Sequence, residues 1–321
     1  MEPRRQWNIR RWRPCAEDAQ LLAELWADVS PVSLALPLDD PRTALEIVER
    51  RMIGLERSIW LSISENGVLG AAALSRAGPP TSVYVRFATR PQFTGRGIGC
   101  ALVERAIREG RDLGFTELRS SFLESHLRSR RFFEVAGFTE TDRLFWSRLD
   151  CSIEPPAWTR DRASAVRDAG IEIVTAADFE SRRTDWDREW WSHLMTAQRD
   201  IPSRVPIGET PFEEWRPTIE PPLVDRNHVL IALDGLHLAG VMKLSSLFEG
   251  RVQILQTSVA QAYRRQGISI ALKWAAIHNA RSRGAREIHT QNHVDNPIFV
   301  LNRGFGFEPI DTLVDVAYPL T

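Results

Sequence analysis

A chain of 321 residues is long enough for two domains of ordinary size, and its 43% hydrophobic and 26% charged residues are typical of a globular protein. The formal net charge of −1 excludes a strong positive field, so we expect neither nucleic acid nor a membrane as a partner. No stretch reaches the roughly 18 uninterrupted apolar residues of a membrane span, and no apolar secretion signal follows the basic start.

The first half of the chain predicts a strand, a helix, a hairpin and a glycine-centred turn, in that order. The stretch NIRRWRPCAEDAQLLAELWADV predicts a short strand, an acidic cap region and a helix. Residues 58–76 favour β-structure and are broken by the Asn-Gly pair at 66–67, a strong signal for a two-residue turn. A further strand leads to a turn at Gly97 and to a helix of period 3.6 that is closed by Gly114.

The second half repeats this order after a connector. Residues 151–170, with paired prolines and a short charged helix, predict a linker. A strand and one or more helices follow, and then a hairpin over 228–246 that is broken by Asp234-Gly235. The next strand leads to a turn at Gly267 and to a helix closed by Gly284.

Both halves then reach a Gly-Phe pair at nearly the same distance from the glycine turn. Gly137 follows Gly97 by 40 positions, and Gly306 follows Gly267 by 39. Matching signals at matching distances indicate an internal duplication. The order of elements predicts a mixed α/β fold with helices on both faces of each sheet. The predicted divisions are an N-terminal domain at 1–150, a linker at 151–170 and a C-terminal domain at 171–321.

The second glycine turn has the features of an anion site. The stretch AYRRQGISIALKWA, residues 262–275, places two arginines and a glutamine directly before Gly267 and an apolar helix. The first N–H groups of a helix have no partner within the helix, and the positive end of its dipole lies there. Glycine allows close approach of a phosphate and arginine adds charged hydrogen bonds, so the turn predicts a phosphate-bearing ligand.

Both halves resemble the GNAT superfamily of acyl-coenzyme-A-dependent N-acyltransferases, whose signature is Q/R-x-x-G-x-G/A. The C-terminal half offers Arg264, Arg265, Gln266, Gly267, Ile268 and Ser269, and the N-terminal half offers Thr94, Gly95, Arg96, Gly97, Ile98 and Gly99. The run TQNHVDNPIFVLNRGFGFEP at 290–309 looks like the T-x-N-x-x-x-N…N-x-x-L-G-F ending of tandem GNAT proteins, with Phe305 in the leucine position. The two-repeat layout is similar to that of mycothiol synthase-like proteins.

This resemblance implies two tandem GNAT domains, each a mixed, mostly antiparallel sheet flanked by helices. It implies acetyl-CoA or another acyl-CoA as cosubstrate, no metal, and direct transfer in a ternary complex to an amine of a small molecule. The cofactor-binding residues implied in the C-terminal half are Ser258, Val259, Arg264, Arg265, Gln266, Gly267, Ile268, Ser269, Asn292, Asn296 and Asn302. The weaker set in the N-terminal half is Phe87, Ala88, Gly95, Arg96, Gly97, Ile98 and Gly99.

The catalytic acid and base are not identified by the resemblance. The family's usual tyrosine is replaced by Asn302 in the C-terminal half and by Phe133 in the N-terminal half, and neither is a good acid. The remaining candidates, Asp295 and His293, lie just after a predicted strand, where loop or cap roles are the commoner explanation.

The C-terminal half is predicted to be the catalyst. The positions of Asn292, Asn296 and Asn302 correspond to Leu123, Leu127 and Phe133, so amides that could bind pantetheine become apolar in the N-terminal half. That half is predicted to be degenerate. The main alternative is a catalytically silent acyl-CoA-binding or sensor protein, and a duplication that binds no cofactor is a further one. A dinucleotide-binding turn fails because Cys100 occupies the position of the third glycine.

The cysteines and one aromatic helix complete the predictions. Cys15, Cys100 and Cys151 are scattered and favour a reducing cytoplasm, and Cys100 is expected to be a packed core residue. Trp186, Trp190 and His193 share a helical stripe that predicts core packing, with a wall of the acceptor pocket as the alternative. The proline-rich segment 199–222 predicts a functional loop whose acidic residues would suit a cationic amine, namely Asp200, Glu209, Glu213 and Glu214. The sequence does not indicate the oligomeric state.

Overall fold

The structure is a computed structural model that describes residues 7–29, 40–51, 58–65, 67–76, 80–200, 208–221, 223–247 and 250–321. The described residues form two compact units. The first unit contains those up to Arg143, Gly208 and the segment Leu313–Thr321, and the second contains those from Leu144 to Thr312 without Gly208. No helix of the described residues is long and apolar enough to cross a membrane.

The first unit contains the elements predicted for the N-terminal half. In chain order they are β1 (Asn8–Arg11), α1 (Ala16–Val29), α2 (Pro41–Arg51), β2 (Ile59–Ser64), β3 (Gly67–Ser75), β4 (Ser82–Thr89), α3 (Ile98–Asp112), β5 (Glu117–Leu123), α4 (Leu127–Val135) and the first residues of β6 (Thr139–Asp150). The predicted linker then forms α5 (Ala157–Asp168), whose Ala163 and Val166 are buried in the core of the second unit.

The second unit repeats the same order. Its elements are β7 (Ile171–Thr175), α6 (Ala176–Arg182), α7 (Trp186–Gln198), α8 (Phe212–Trp215), β8 (Val229–Asp234), β9 (His237–Leu244), β10 (Arg251–Val259), α9 (Ile268–Ser282), β11 (Glu287–Asn292), α10 (Pro297–Gly304) and the start of β12 (Glu308–Pro319). A capping box between Thr175 and Asp178 begins α6.

Each unit contains a mixed, mostly antiparallel sheet, which confirms the predicted fold class. In the first unit the order is β1-β2-β3-β4-β5-β12, and in the second it is β6-β11-β10-β9-β8-β7. Only β4 with β5 and β10 with β11 are parallel neighbours among the described pairs. The last strand of the first repeat, β6, therefore pairs with β11 in the sheet of the second unit. The last strand of the second repeat, β12, pairs with β5 in the sheet of the first unit. The domain boundaries at 150 and 171 stay predictions.

The sheet of the second unit is covered on both faces. One apolar cluster joins α5 and α9 to the sheet, and the other joins α6, α7 and α8 to it. Five consecutive residues of β8, from Val229 to Leu233, are buried because each face of the strand has a helical layer on it. Trp190, 1% exposed, and Phe179, fully buried, fill the second cluster.

The second hairpin turns one residue later than predicted. Asp234 still pairs with His237 in the ladder, so the two loop residues are Gly235 and Leu236. Gly235 has a φ of 56°, which explains the glycine in the loop. In the first hairpin, Asn66 lies outside the described residues, and Gly67 already pairs with Ser64.

Candidate functional site

The glycine turn of the second unit presents free backbone N–H groups. A single 3₁₀ turn over Gln261–Tyr263 precedes it, and Gly267, with a φ of 90°, is the N-cap of α9. Arg265 has a φ of 65° and is the one non-glycine residue at positive φ in the described part of the chain. No acceptor for the N–H groups of residues 265–269 occurs among the described residues. Converging, unpaired N–H groups at a helix start are what a phosphate requires.

The first unit repeats this backbone conformation. A 3₁₀ turn over Pro91–Phe93 precedes it, and Gly95 and Gly97 have φ angles of 76° and 77°. Gly95 is thus the counterpart of Arg265. The turn conformation belongs to both halves, although the side chains differ.

Two polar side chains of the second glycine turn donate hydrogen bonds to nearby backbone carbonyl groups. The Arg264 guanidinium donates to the Val259 carbonyl at 3.2 Å and forms an ion pair with Asp200. The Gln266 amide donates to the Ala262 carbonyl at 3.1 Å. Arg264 therefore also holds the turn to the end of β10, and Gln266 holds it to the preceding 3₁₀ turn.

The strands before both glycine turns separate from their parallel neighbours. The ladder of β10 with β11 covers only residues 251–253 and 287–289, and that of β4 with β5 covers only 82–84 and 117–119. Beyond these pairs, one edge of β10 and one edge of β4 face an opening in the sheet. We call each of these the strand opening of its unit.

A β-bulge marks β10 within the strand opening. The register with β9 shifts between Ile254 and Gln256, so Leu255 is an extra residue, and it is 51% exposed. After the bulge the ladder is regular, and the Ala260 N–H donates to the Ala239 carbonyl. Because antiparallel pairs alternate, Ser258 bonds to β9 while the N–H groups of Thr257 and Val259 face the strand opening.

The strand opening of the first unit differs in shape and content. The ladder of β3 with β4 runs from residue 84 to residue 89 without a register shift. Phenylalanine side chains pack there, with ring centroids 5.6 Å apart for Phe87 and Phe132 and 5.1 Å apart for Phe133 and Phe138. A Cβ added to Gly99 would lie 2.8 Å from the Phe132 ring, so this ring also covers the start of α3.

A histidine that the sequence analysis assigned to the core stands beside the bulged strand. His193 Nε2 of α7 lies 2.8 Å from Ser258 Oγ, and the Gln256 amide donates to the same oxygen at 3.1 Å. Trp186 and Trp190 of the same stripe are buried, as the core interpretation predicts, whereas His193 is half-buried and lines a cleft, which matches the alternative interpretation as a pocket wall. No pattern in the sequence links residue 193 to residue 258, because the contact depends on how α7 packs on the sheet.

The imidazole of His193 lines a cleft of about 330 Å³, here called the α7 cleft. Its lining residues are Glu189, Ser192, His193, Thr196, Ala197, Leu238, Val259, Ala260, Gln261 and Arg264. Burial, and then the positive charge of Arg264, lower the pKa of His193 to about 4, so the ring is neutral at physiological pH. The cleft thus connects a neutral imidazole with the end of β10 and the arginine of the glycine turn.

The predicted asparagines have structural partners. The Asn302 amide donates to Asn292 Oδ1 at 2.6 Å, and Asn302 is fully buried. Asn296 is the N-cap of α10 and accepts from the Ile298 N–H at 3.0 Å. These contacts fix α10 against β11.

The two weak catalytic candidates belong to the loop between β11 and α10. The Asp295 N–H donates to His293 Nδ1 at 3.2 Å, and the Asp295 side chain is 79% exposed. Neither residue lines the α7 cleft. In this arrangement they have the loop roles that the sequence analysis considered commoner.

In the first unit, Cys100 is exposed, so the expectation that it packs in the core was wrong. It lies one turn into α3 on the solvent side. No group of three or more metal-ligating side chains occurs among the residues that the structure describes.

Comparison with known proteins identifies the family. The acetyltransferase (GNAT) family model matches the chain at residues 22–138 and again at 184–307. No curated protein matches it. A GCN5-related N-acetyltransferase from Sphaerobacter thermophilus is similar over 100% of this chain and 97% of its own, with 20% identity and a TM-score of 0.65. A tandem GNAT protein from the clavulanic acid biosynthesis pathway is similar over 98% of this chain and 99% of its own, with 18% identity and a TM-score of 0.67.

The solved structures, at these identities, support the fold, and the family model carries the assignment. Its two matches together span more than half of the chain and follow the two repeats. The chain belongs to the GNAT family of acetyltransferases, with two GNAT repeats in tandem.

Proposed function

We propose that the second unit transfers an acyl group, most simply acetyl, from acyl-CoA to the amine of a small molecule. The transfer is direct, in a ternary complex. The observation that carries this proposal is the combination, in one unit, of a glycine turn with free N–H groups, a bulged strand whose N–H groups face the strand opening, and a cleft beside that strand. The unpaired cysteines suit the cytoplasm as its location.

The residues around the second glycine turn fit the pyrophosphate of coenzyme A. The free N–H groups of residues 265–269 would hold its oxygens, and Arg264 and Arg265 would add charge. The N–H groups of Thr257 and Val259, which face the strand opening, would stabilise the negative oxygen that develops when an amine attacks the thioester. In the first unit the turn is kept, but phenylalanine rings occupy the strand opening.

Binding of acetyl-CoA, measured by calorimetry on the full chain, tests this proposal. We expect Gly267→Glu to abolish binding at the second unit, because the new carboxylate repels the pyrophosphate. The matched variant Gly97→Glu should leave that affinity unchanged. Binding that survives Gly267→Glu and is lost with Gly97→Glu would contradict the assignment to the second unit.

A silent acyl-CoA-binding protein is the second candidate. Asn302, fully buried at the position of the family's usual tyrosine, supports it because an amide cannot protonate the leaving thiolate. Release of free coenzyme A thiol that depends on an added amine separates the two candidates. Amine-dependent release well above background hydrolysis supports the transferase, and binding without release supports the silent protein.

A further inference from the structure

The α7 cleft has no uncompensated charge on its described walls. Two charged side chains line it, Glu189 and Arg264. Glu189 forms an ion pair with Arg183 at 3.1 Å and accepts from the Leu238 N–H at 3.2 Å. Arg264 is paired with Asp200. Each charge therefore has its counter-charge before any acceptor enters.

The acidic residues of the 199–222 segment do not supply a free negative charge either. Besides Asp200, Glu209 pairs with Arg199 at 2.5 Å and Glu213 lies 3.7 Å from Arg188. Glu214 is exposed and does not line the cleft. The sequence-based idea that these acids suit a cationic amine thus loses its electrostatic basis.

An ammonium ion would be poorly accommodated in this cleft. It would lose hydration, gain no free counter-charge from Glu189, and face the neutral ring of His193. A neutral amine has no such penalty, because its N–H groups can donate to Ser258 Oγ, which lies 2.8 Å from His193 Nε2. The walls therefore favour the uncharged form of an amine.

We propose that the acceptor is a weakly basic primary amine, neutral at physiological pH, such as an aromatic amine or a hydroxylamine. It binds in the α7 cleft with its nitrogen at the His193–Ser258 pair. This inference rests on the proposed acyltransferase function and names its substrate class. It also accounts for the lack of a carboxylate base on the cleft side of β10, since a neutral amine does not have to lose a proton before it attacks.

The transfer balances without a base of high pKa. The amine lone pair attacks the thioester carbonyl carbon, the C–N bond forms, and the carbonyl electron pair moves to oxygen near the free N–H groups of β10. Collapse breaks the C–S bond. The proton that the nitrogen loses passes through the Ser258–His193 pair to the sulfur, which gives the amide and free coenzyme A thiol. The nitrogen is strongly acidic once attached to the carbonyl carbon, so a weakly basic imidazole suffices as its acceptor.

Aniline and cyclohexylamine form a ring-matched pair that tests the proposal. With the full chain and saturating acetyl-CoA, we expect kcat/KM at pH 7 to be at least about 10-fold higher for aniline, as judged by release of coenzyme A thiol. The aniline rate should be flat around neutral pH. The cyclohexylamine rate should rise about 10-fold per pH unit, following its neutral fraction. Equal or better use of cyclohexylamine at pH 7 would overturn the inference.

Two variants test whether the preference for aniline over cyclohexylamine depends on the α7 cleft. His193→Glu should shift the preference toward cyclohexylamine by at least about 10-fold, because it adds the missing negative charge, whereas the uncharged His193→Gln should keep the wild-type preference. If His193→Glu has a strongly lowered Tm, Arg183→Gln is the replacement charge variant, since it leaves the charge of Glu189 uncompensated. An unchanged preference in a folded charge variant overturns the role of the cleft.

The outcome that would contradict the acyltransferase function differs from the one that would contradict the substrate class. Tight acetyl-CoA binding with no thiol release for aniline, cyclohexylamine or hydroxylamine would overturn the transferase itself. Cyclohexylamine turnover that is independent of pH would leave the transferase standing and overturn only the substrate class.

Discussion

The two glycine turns follow the same backbone path, whereas the strand openings beside them differ. Positive φ angles occur at Gly95 and Gly97 in the first unit and at Arg265 and Gly267 in the second. Next to the first turn, β4 is regular and phenylalanine rings pack in the opening. Next to the second turn, Leu255 forms a bulge and the α7 cleft lies alongside.

The shared turn geometry and the different strand openings distinguish features that the fold requires from features that the reaction requires. A tight strand-to-helix turn needs left-handed residues whether or not a ligand binds, so its geometry survives in both units. A strand opening only has to be filled for stability, and aromatic rings fill it as well as a ligand does. The turn thus predicts where a phosphate could bind, and the opening predicts which unit carries out chemistry.

Deleting Leu255 makes β10 resemble β4 and should have the largest effect. The deletion restores a regular ladder and removes the local bend and extra twist of the bulge, so we expect the N–H groups of Thr257 and Val259 to change direction within the strand opening. Loss of such donors costs about 100-fold or more in kcat. We expect that loss in the aniline assay, with acetyl-CoA affinity nearly unchanged because residues 264–269 are untouched.

The converse variant controls for a general effect of altering a strand. A leucine inserted between Val85 and Arg86 would give β4 a bulge, yet the phenylalanine rings remain, so we expect no gain in activity. A deletion variant that is folded by circular dichroism and keeps the wild-type kcat would show that the bulge is irrelevant to transfer.

A buried lysine distinguishes the helices that follow the two turns. Lys273 of α9 is fully buried, its Nζ has no hydrogen-bond partner within the described residues, and the Phe307 ring lies 5.3 Å from it. The matching position of α3 is Val103. Burial lowers the pKa of Lys273 to about 7. Lys273→Met should remove a penalty on the order of 5 kcal/mol and raise Tm by roughly 10 °C at pH 6.

The stability of the wild-type protein should increase with pH in the range where Lys273 titrates. Between about pH 7 and the ordinary lysine pKa of 10.5, the unfolded chain binds a proton at Lys273 that the folded chain does not. Wild-type stability therefore rises with pH across that window, while the variant lacks this rise. The difference in Tm should be largest below pH 7 and should vanish near pH 10.5, with Val103→Met as the matched control. A pH-independent difference would show that packing, not charge, sets it.

The sequence predicts elements and the turn well because these depend on local patterns. Glycine spacing gave the duplication, and Gly267 was placed correctly at the start of a helix. The contact between His193 and Ser258 could not be predicted, since the two residues are 65 positions apart and meet only through helix packing. The ion pair of Asp200 with Arg264 is equally non-local, so the sequence does not reveal that the charge of Arg264 is compensated.

The smallest expected effect concerns Arg265, the counterpart of Gly95. A non-glycine residue at positive φ is strained by roughly 1 kcal/mol, and asparagine tolerates this conformation better. Arg265→Asn should therefore raise Tm by roughly 2 °C. Loss of the charge beside the pyrophosphate should weaken acetyl-CoA binding by about threefold to fivefold, as calorimetry would measure.

The reciprocal variant Gly95→Arg places a non-glycine residue at positive φ in the first unit, and we expect a lower Tm and no new acetyl-CoA binding. If Arg265→Asn gains stability and keeps its full affinity, only the backbone of the turn holds the phosphate. If Arg265→Asn gains stability and loses affinity, the charge of Arg265 contributes to cofactor binding in the second unit at the cost of backbone strain. Gly95, at the same position of the first unit, has neither the strain nor the charge.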